Sequence, residues 1–222
     1  MKRRGGEPIA GKGLFVTFEG GEGSGKSTQL ARLEDRLRRG GFDPLVVREP
    51  GGTPLAETVR ALLLDPAAPV GSVTEALLMV AARSDLVAMR LKPALESGRI
   101  VLCDRYTDST LAYQGGGRGL DGAMLASWNR AATGGLVPDL TLLFDLDPEL
   151  GLARRAAAHG GANRIDLESE AFHSRVRERY LQLARAEPAR FAVLDADQPQ
   201  QELAERVWSA VASRLPLTPT HG

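Results

Sequence analysis

Two periodicities of apolar residues alternate along this chain and predict five strands and seven helices. Short apolar runs bounded by Gly, Pro or charged residues are typical of strands, and they cover residues 13–20, 44–49, 99–104, 140–147 and 191–196. Between them apolar residues recur at spacings of three and four, as at Leu30, Leu33 and Leu37, which builds one apolar stripe along a helix. The predicted helices cover residues 29–39, 55–64, 73–95, 122–132, 149–158, 172–186 and 200–215.

This order of elements predicts an α/β fold. Strands that alternate with helices are joined by right-handed crossovers into a parallel sheet that is covered on both faces. The excess of helix over strand favours a three-layer domain with helical additions. Because no repeat or linker divides the chain, we predict one domain over residues 13–215, between flexible tails at 1–12 and 216–222.

Two segments carry local predictions. The helix at 73–95 is apolar on much of its circumference, so it should be largely buried, and Pro93 should kink or shorten its end. The segment between the strand at 99–104 and the helix at 122–132 contains a run of glycines, and we predict a Gly-rich loop there.

Charge and cysteine content narrow the function classes. Lys+Arg and Asp+Glu both number 28, so the net charge is zero, which disfavours a nucleic-acid partner. The single Cys103 fits a reducing compartment. No uncharged run approaches the ~18 apolar residues of a membrane span, and the apolar stretch after the basic start is too short for a signal peptide. We therefore expect a cytoplasmic protein without a membrane partner.

The segment between the first strand and the first helix fits the phosphate-binding pattern G-x-x-x-x-G-K-[ST] in full. Its residues are Gly20, Gly21, Glu22, Gly23, Ser24, Gly25, Lys26 and Ser27, and Thr28 follows in the helix. Glycines let successive N–H groups turn toward phosphate oxygens, Lys26 would reach the β- and γ-phosphates, and the Ser27 hydroxyl would bind Mg²⁺. An ordinary Gly-rich turn explains the glycines but not Lys-Ser at this offset. The pattern predicts that the protein binds a nucleoside triphosphate such as ATP. It does not indicate what the protein does with the bound triphosphate.

A second anion site is predicted beside this loop. The Asn-Lys-x-Asp sequence of GTPases is missing, since the nearest string, residues 163–166, lacks the Lys. A small-molecule kinase remains, and its acceptor pocket needs arginines. Arg48 and Arg105 each lie at the carboxyl end of a predicted strand, where open α/β sheets bind ligands. Arg83 lies on the buried helix, where a salt bridge to Asp85 or a snorkelling side chain is the alternative to a binding role.

From about residue 14 to 210 the chain resembles the thymidylate kinase (dTMP kinase) family. The segments that carry the resemblance are FEGGEGSGKSTQ at 18–29, REPGGT at 48–53, AAR at 81–83, DRY at 104–106, YQGGGRG at 113–119 and DLDPELGLAR at 145–154. The resemblance implies a P-loop NTPase three-layer fold of the nucleoside-monophosphate-kinase type, with a five-stranded parallel sheet flanked by helices. It also implies the Mg²⁺-dependent reaction ATP + dTMP → ADP + dTDP in dTTP biosynthesis, and a homodimer.

The same resemblance assigns an acceptor site. The residues that it places at dTMP are Glu22, Arg48, Met79, Arg83, Arg105, Thr110, Tyr113 and Gln114. Arg105 and Arg48 would hold the phosphate and Arg83 the base carbonyl. Tyr113 would close against the sugar C2′ and reject ribonucleotides, unless it is a plain core aromatic. Glu22 would meet the 3′-hydroxyl.

Two further assignments concern the base and the metal. Met79 stands where relatives commonly place a Phe that stacks on thymine; a polarizable thioether can contact an aromatic face, with an altered preference for the base. Asp104 resembles the carboxylate near Mg²⁺, with a strand-end cap as its alternative.

The resemblance also implies a mobile lid at about residues 152–168. Because the phosphate loop holds no basic residue at its variable positions, an arginine of the lid should close over the transferred phosphoryl group. We expect Arg155 or Arg164 to be catalytic and Arg154 to pack on adenine, whereas a solvated helix end is the alternative. His159 receives no role.

Three further questions stay open from the sequence. The acceptor could be another nucleoside monophosphate, and a protein that binds ATP without catalysis is a less favoured reading. The apolar helix at 73–95 could form part of a dimer interface or could equally be buried in a monomer core.

Overall fold

A wholly parallel, five-stranded sheet forms the centre of the molecule, in the strand order β2-β3-β1-β4-β5. The structure is a computed structural model that describes residues 13–67, 69–157 and 163–215. The strands are β1 (Phe15–Gly20), β2 (Leu45–Arg48), β3 (Val101–Asp104), β4 (Leu140–Asp145) and β5 (Phe191–Asp195). Each lies inside a predicted strand, so the predicted α/β class is confirmed. The predicted tails lie outside the described residues.

Helices and two π-helical turns make up most of the rest. The helices are α1 (Lys26–Arg39), α2 (Pro54–Leu64), α3 (Ser72–Leu86), α4 (Lys92–Glu96), α5 (Thr107–Thr110), α6 (Gly122–Thr133), α7 (Pro148–Ala157), α8 (Glu170–Ala186) and α9 (Gln200–Ala212). The π-helical turns are Val87–Leu91 and Leu111–Gly117. None of the helices in the described ranges is long and apolar enough to cross a bilayer.

The side chains of β1 divide the core into two layers by simple alternation. Val16 and Phe18 face a cluster that includes leucines of α1 and apolar residues of α9. Phe15 faces the opposite cluster, which includes Leu86 and Leu91 from the long helix. Helices therefore cover both faces of the sheet, as the predicted three-layer architecture requires. All the strands run parallel, so their carboxyl ends, and the loops that follow them, meet at one edge.

The predicted long helix continues past Pro93. The π-helical turn Val87–Leu91 ends two residues before Pro93, and the N–H of Lys92 donates to the carbonyl of Val87, five residues earlier. Proline has no N–H to donate and its ring crowds the carbonyl four residues before it, and a wider turn at this point is a recognised way to continue a helix. The predicted shortening is wrong, because α3, the π turn and α4 follow one another from Ser72 to Glu96, and the predicted kink stays a prediction.

The prediction of a Gly-rich loop after β3 is wrong. Residues 107–117 form α5 and the second π-helical turn. The glycines serve packing: a Cβ on Gly117 would lie 2.4 Å from the ring of Phe172, and one on Gly116 would lie 2.7 Å from the Cβ of Arg179. Only glycine lets this segment approach α8 so closely, and the sequence alone does not distinguish that use from a loop.

Candidate active site

The phosphate loop wraps around the ammonium group of Lys26. Its Nζ donates to the carbonyl oxygens of Gly20 and Gly21 at 3.0 and 2.6 Å and to Ser24 Oγ at 3.2 Å. Burial and the nearby guanidinium of Arg105 lower the pKa of Lys26 to about 8. A phosphate anion placed here would favour the charged ammonium, which is the chemistry expected of this loop.

Gly23 shows why the loop needs glycine. Its φ is 66°, and a Cβ would lie 1.9 Å from the carbonyl oxygen of Gly151 at the start of α7. The phosphate loop and the helix that leads to the predicted lid are therefore in direct backbone contact.

Ser27 and Asp104 meet at the ends of neighbouring elements. Ser27 Oγ donates to Asp104 Oδ2 at 3.2 Å, and the buried Asp104 Oδ1 has no hydrogen-bond partner among the described residues. No group of three or more His, Cys, Asp or Glu side chains in those residues could hold a metal alone. This pair of hard oxygen ligands fits Mg²⁺, which usually takes one or two protein groups together with phosphate oxygens and water.

Arg105 lies directly after β3 in a left-handed conformation, with φ 72°. Such a backbone costs about 1–3 kcal/mol for a residue with a side chain, and it is found mainly at functional sites. The turn brings Nη1 to 3.1 Å from the Gly20 carbonyl and Nη2 to 2.6 Å from Glu22 Oε1. The sharp turn after β3 thus places a cation against the phosphate loop.

Glu22 joins the phosphate loop to Tyr113. Its Oε1 accepts the Tyr113 hydroxyl at 2.8 Å as well as Arg105, and the Arg105 guanidinium carbon lies 4.8 Å from the centre of the Tyr113 ring. Burial alone would raise the pKa of Glu22, but Arg105, Lys26 and the Tyr113 hydroxyl outweigh it and hold the pKa at about 2. Glu22 is therefore an anion inside an anion-binding loop, balanced by the cations beside it.

Two adjoining cavities open at this edge of the sheet. The larger, about 450 Å³, is lined by phosphate-loop and α1 residues from Glu22 to Thr28, by Asp104 and by several arginines. The smaller, about 110 Å³, has apolar walls that include Leu64, Met79 and Ile165. The residues that line both are Glu22, Glu49, Arg60, Arg105 and Asn163. One wall of paired charges, which includes Arg60 and Arg105, therefore separates a phosphate-loop cavity from one with apolar walls.

Of the residues predicted at the acceptor, several line these cavities. Arg48 lies at the larger cavity, exposed, with Nη2 3.2 Å from Glu57 Oε2. Met79, Tyr113 and Gln114 line the smaller cavity together with Glu22 and Arg105.

Arg83 and Thr110 are buried and line neither cavity. Arg83 is 2% exposed and donates Nε to Glu49 at 2.8 Å, and its Nη1 to Thr110 Oγ1 at 2.8 Å and Asn129 Oδ1 at 2.6 Å. Both alternatives considered for Arg83 are therefore wrong: its ion pair is with Glu49, at 2.7 Å from Nη2 to Oε2, and it does not snorkel. Its contact with a base carbonyl stays a prediction.

The three arginines predicted in the lid separate into two groups. Arg154 donates to the Ala196 carbonyl and to Asp197, Arg155 lies 3.1 Å from Asp166 Oδ2, and both line the larger cavity. Arg164 lines neither cavity: its Nη2 donates to Glu75 and its Nε to the Leu63 carbonyl at 3.0 Å. His159 and the centre of the predicted lid, residues 158–162, lie outside the described residues.

Comparison with known proteins places this site in a family. The sequence model of the thymidylate kinase family matches residues 18–207. The chain belongs to the thymidylate kinase family. It is 55% identical over 203 residues to the thymidylate kinase of Deinococcus radiodurans, covering 91% of this chain and 98% of the relative. The thymidylate kinase of Thermomicrobium roseum is 55% identical over 197 residues (89% and 93%), and that of Caulobacter vibrioides is 49% identical over 207 residues (93% and 99%). The predicted family and its P-loop NTPase fold are therefore confirmed.

This member of the thymidylate kinase family also carries site residues that the sequence did not single out. Arg60 lines both cavities and donates Nη1 to the Pro50 carbonyl at 3.0 Å; burial and the neighbouring Arg48 lower its pKa. The only sequence signal was its place beside the apolar stripe of a predicted helix.

Beneath Arg105, the thymidylate kinase fold buries a second carboxylate, Glu19. It accepts from the Tyr106 N–H at 2.8 Å, Ser109 Oγ at 2.6 Å and the Tyr180 hydroxyl at 2.7 Å. Burial and the nearby Asp108 raise the pKa of Glu19 to about 7. Two of these bonds fix the chain directly after the left-handed turn at Arg105.

Proposed function

We propose that this protein transfers the γ-phosphoryl group of ATP to dTMP, which gives ADP and dTDP. The observation that carries the proposal is the wall shared by the two cavities, where Arg105 and Arg60 lie between the phosphate loop and an apolar pocket. A triphosphate on the loop and a monophosphate in the second cavity would meet at these cations. Family membership supports dTMP as the acceptor.

In the proposed reaction an oxygen of the dTMP phosphate attacks the γ-phosphorus of ATP. The bond from that phosphorus to the β,γ-bridging oxygen breaks, and its electron pair leaves on ADP. No general base is needed, because the attacking phosphate is already deprotonated. The protein has to hold two anions in line and offset their charge.

The cations divide that task between the two substrates. We assign Lys26 to the β- and γ-phosphates, and Arg105, Arg48 and Arg60 to the dTMP phosphate. Of the lid arginines, Arg155 lines the same cavity as Lys26 and is our choice for the group that stabilises the transferring phosphoryl. Arg154 would pack on adenine.

Mg²⁺ would be held by Ser27 and Asp104, whose geometry fits it, and when bound it neutralises phosphate charge.

On the acceptor side, Tyr113 would exclude a 2′-hydroxyl and Glu22 would accept a hydrogen bond from the 3′-hydroxyl. Met79, with Leu64 and Ile165, would cover the base.

A homodimer is part of the same proposal. Val73 and Leu77 of α3 are 48% and 47% exposed, and Leu62 of α2 is 47% exposed. A second copy could cover this apolar face. Light scattering at micromolar concentration should give twice the mass of one chain, and the mass of a single chain would overturn the dimer. The cytoplasmic location stays a prediction.

The test is ADP release from ATP with a panel of acceptors: dTMP, dUMP, UMP, CMP and AMP. We expect a clear preference for dTMP, and Lys26→Ala should abolish release while the melting temperature is retained. A preference for an acceptor without thymine would indicate another nucleoside-monophosphate kinase. ATP binding without release for any acceptor would indicate a non-enzymatic protein.

A further inference from the structure

Glu75 joins three parts of the molecule beneath the smaller cavity. It lies on α3 and is 1% exposed. Its Oε1 accepts from Gln114 Nε2 at 2.8 Å and Arg118 Nε at 3.3 Å. Its Oε2 accepts from Arg118 Nη2 at 3.2 Å and from Arg164, which lies in the predicted lid. Both carboxylate oxygens are therefore occupied, and neither is left for a ligand.

Gln114 is the member of this cluster that reaches the cavity wall. It is 1% exposed and lines the smaller cavity. Its Nε2 is held by Glu75, whereas its Oε1 is buried without a hydrogen-bond partner in the part of the chain that the structure describes. A buried amide oxygen without a donor is costly, and native structures rarely tolerate one without a functional reason. A donor on a bound ligand would satisfy it.

Glu75 decides which end of the Gln114 amide is left for the ligand. An ionised carboxylate only accepts hydrogen bonds, so it can hold only the NH₂ end. Burial raises the pKa of Glu75, but the bonds from Gln114, Arg118 and Arg164 outweigh it and lower the pKa. The carboxyl is thus ionised at neutral pH. Rotating the amide by half a turn would set its oxygen against a carboxylate oxygen.

We propose that Glu75 is a positioning residue for base selection: by holding the Gln114 NH₂, it leaves an acceptor that matches pyrimidines with an N–H at ring position 3. This rests on the proposed function. Thymine and uracil carry that N–H, whereas N3 of cytosine is itself an acceptor and would oppose the Gln114 oxygen. A site built to receive a hydrogen bond discriminates strongly against a ligand that cannot donate it.

The test measures kcat/KM of ADP release for dTMP, dUMP and dCMP in wild-type protein and in Glu75→Gln. A glutamine at position 75 both donates and accepts, so the Gln114 amide becomes free to turn. We expect the dTMP-to-dCMP ratio to fall at least tenfold, while the dTMP-to-dUMP ratio stays within about twofold because both bases carry the N–H. A merely structural role would lower all three values together and leave both ratios unchanged, and that result would overturn the proposal.

Two further variants keep the test decisive. Glu75→Asp keeps an acceptor-only group, so it should retain more of the dTMP-to-dCMP ratio than Glu75→Gln, even if its melting temperature falls. If Glu75→Gln does not fold, Gln114→Met, which has a similar shape but no amide, decides the matter: a tenfold loss of the ratio supports the proposal and an unchanged ratio overturns it. Failure of the proposed function is distinct, because wild-type protein would then not phosphorylate dTMP at all.

Discussion

Arg105 and Glu22 form an ion pair in the wall between the two cavities, with 2.6 Å from Nη2 to Oε1. The pair is not fully buried, since the side chains are 16% and 20% exposed. Glu22 adds negative charge to a loop that must bind phosphate, and Arg105 offsets it. Arg105 therefore has two tasks in the proposed reaction: it balances Glu22 and it faces the acceptor phosphate.

Removing Arg105 should cost most of the activity. We expect Arg105→Ala to lower kcat/KM for dTMP by about 10²–10³-fold, the usual loss when a group that stabilises developing charge is removed. Arg105→Lys is the matched control: it keeps the charge without the planar fork and should be impaired less. Steady-state kinetics on both variants checks this. An Arg105→Ala enzyme within threefold of wild type would refute the acceptor assignment.

ATP affinity should depend on pH through Lys26. Its pKa in the free protein is about 8, and phosphate binding favours the ammonium form. Affinity for ATP should stay level below pH 8 and weaken as pH rises above it, with proton uptake on binding near pH 8.5. Calorimetry in two buffers of different ionisation enthalpy measures that uptake. Lys26→Arg, which keeps its charge throughout this range, should show a flat profile, and a flat wild-type profile would contradict the role of Lys26.

Substitution of Arg155 and substitution of Arg164 should have different effects on the kinetic constants. Arg155 lines the cavity that contains Lys26, whereas Arg164 is bonded to Glu75 and the Leu63 carbonyl. We therefore expect Arg155→Ala to lower kcat by about 10²-fold or more, with a small change in KM. Arg164→Ala should chiefly raise KM for dTMP or lower the melting temperature. The reverse pattern would assign the catalytic role to Arg164.

Glu19 should make stability depend on pH in a defined direction. The pKa of Glu19 is raised from 4.5 to about 7 in the folded protein. The stabilisation that comes from this raised pKa is therefore complete below pH 4.5, and it is lost as pH rises through 7. The free energy of unfolding of wild-type protein should fall relative to Glu19→Gln between pH 5 and 8, by on the order of 2–3 kcal/mol. Urea unfolding of both proteins at four pH values measures the difference. If the difference in free energy of unfolding between the two proteins stayed constant with pH, or grew in favour of wild type, the result would be inconsistent with the raised pKa.

The parts of the site that follow strict local chemistry could be predicted from the sequence. The phosphate loop needs glycine at fixed offsets before Lys26. Strand ends in a parallel sheet meet at one edge, and Asp104 and Arg105 lie at that edge; their roles toward the substrates stay predictions.

Features set by long-range packing could not be predicted. The partner of Arg83 is Glu49, 34 residues away, rather than the neighbouring Asp85. Gly116 and Gly117 serve an approach to α8, which helix propensity cannot indicate. Arg60 and Glu19 acquire their importance only from what the fold places beside them.

The most direct test of the central claim is a crystal structure with Mg²⁺, a non-hydrolysable ATP analogue and dTMP bound together. We expect the γ-phosphate on Lys26, the dTMP phosphate within hydrogen-bond distance of Arg105, and thymine in the smaller cavity beside Met79 and Gln114. A dTMP molecule bound away from Arg105, or no dTMP at a saturating concentration, would contradict the account.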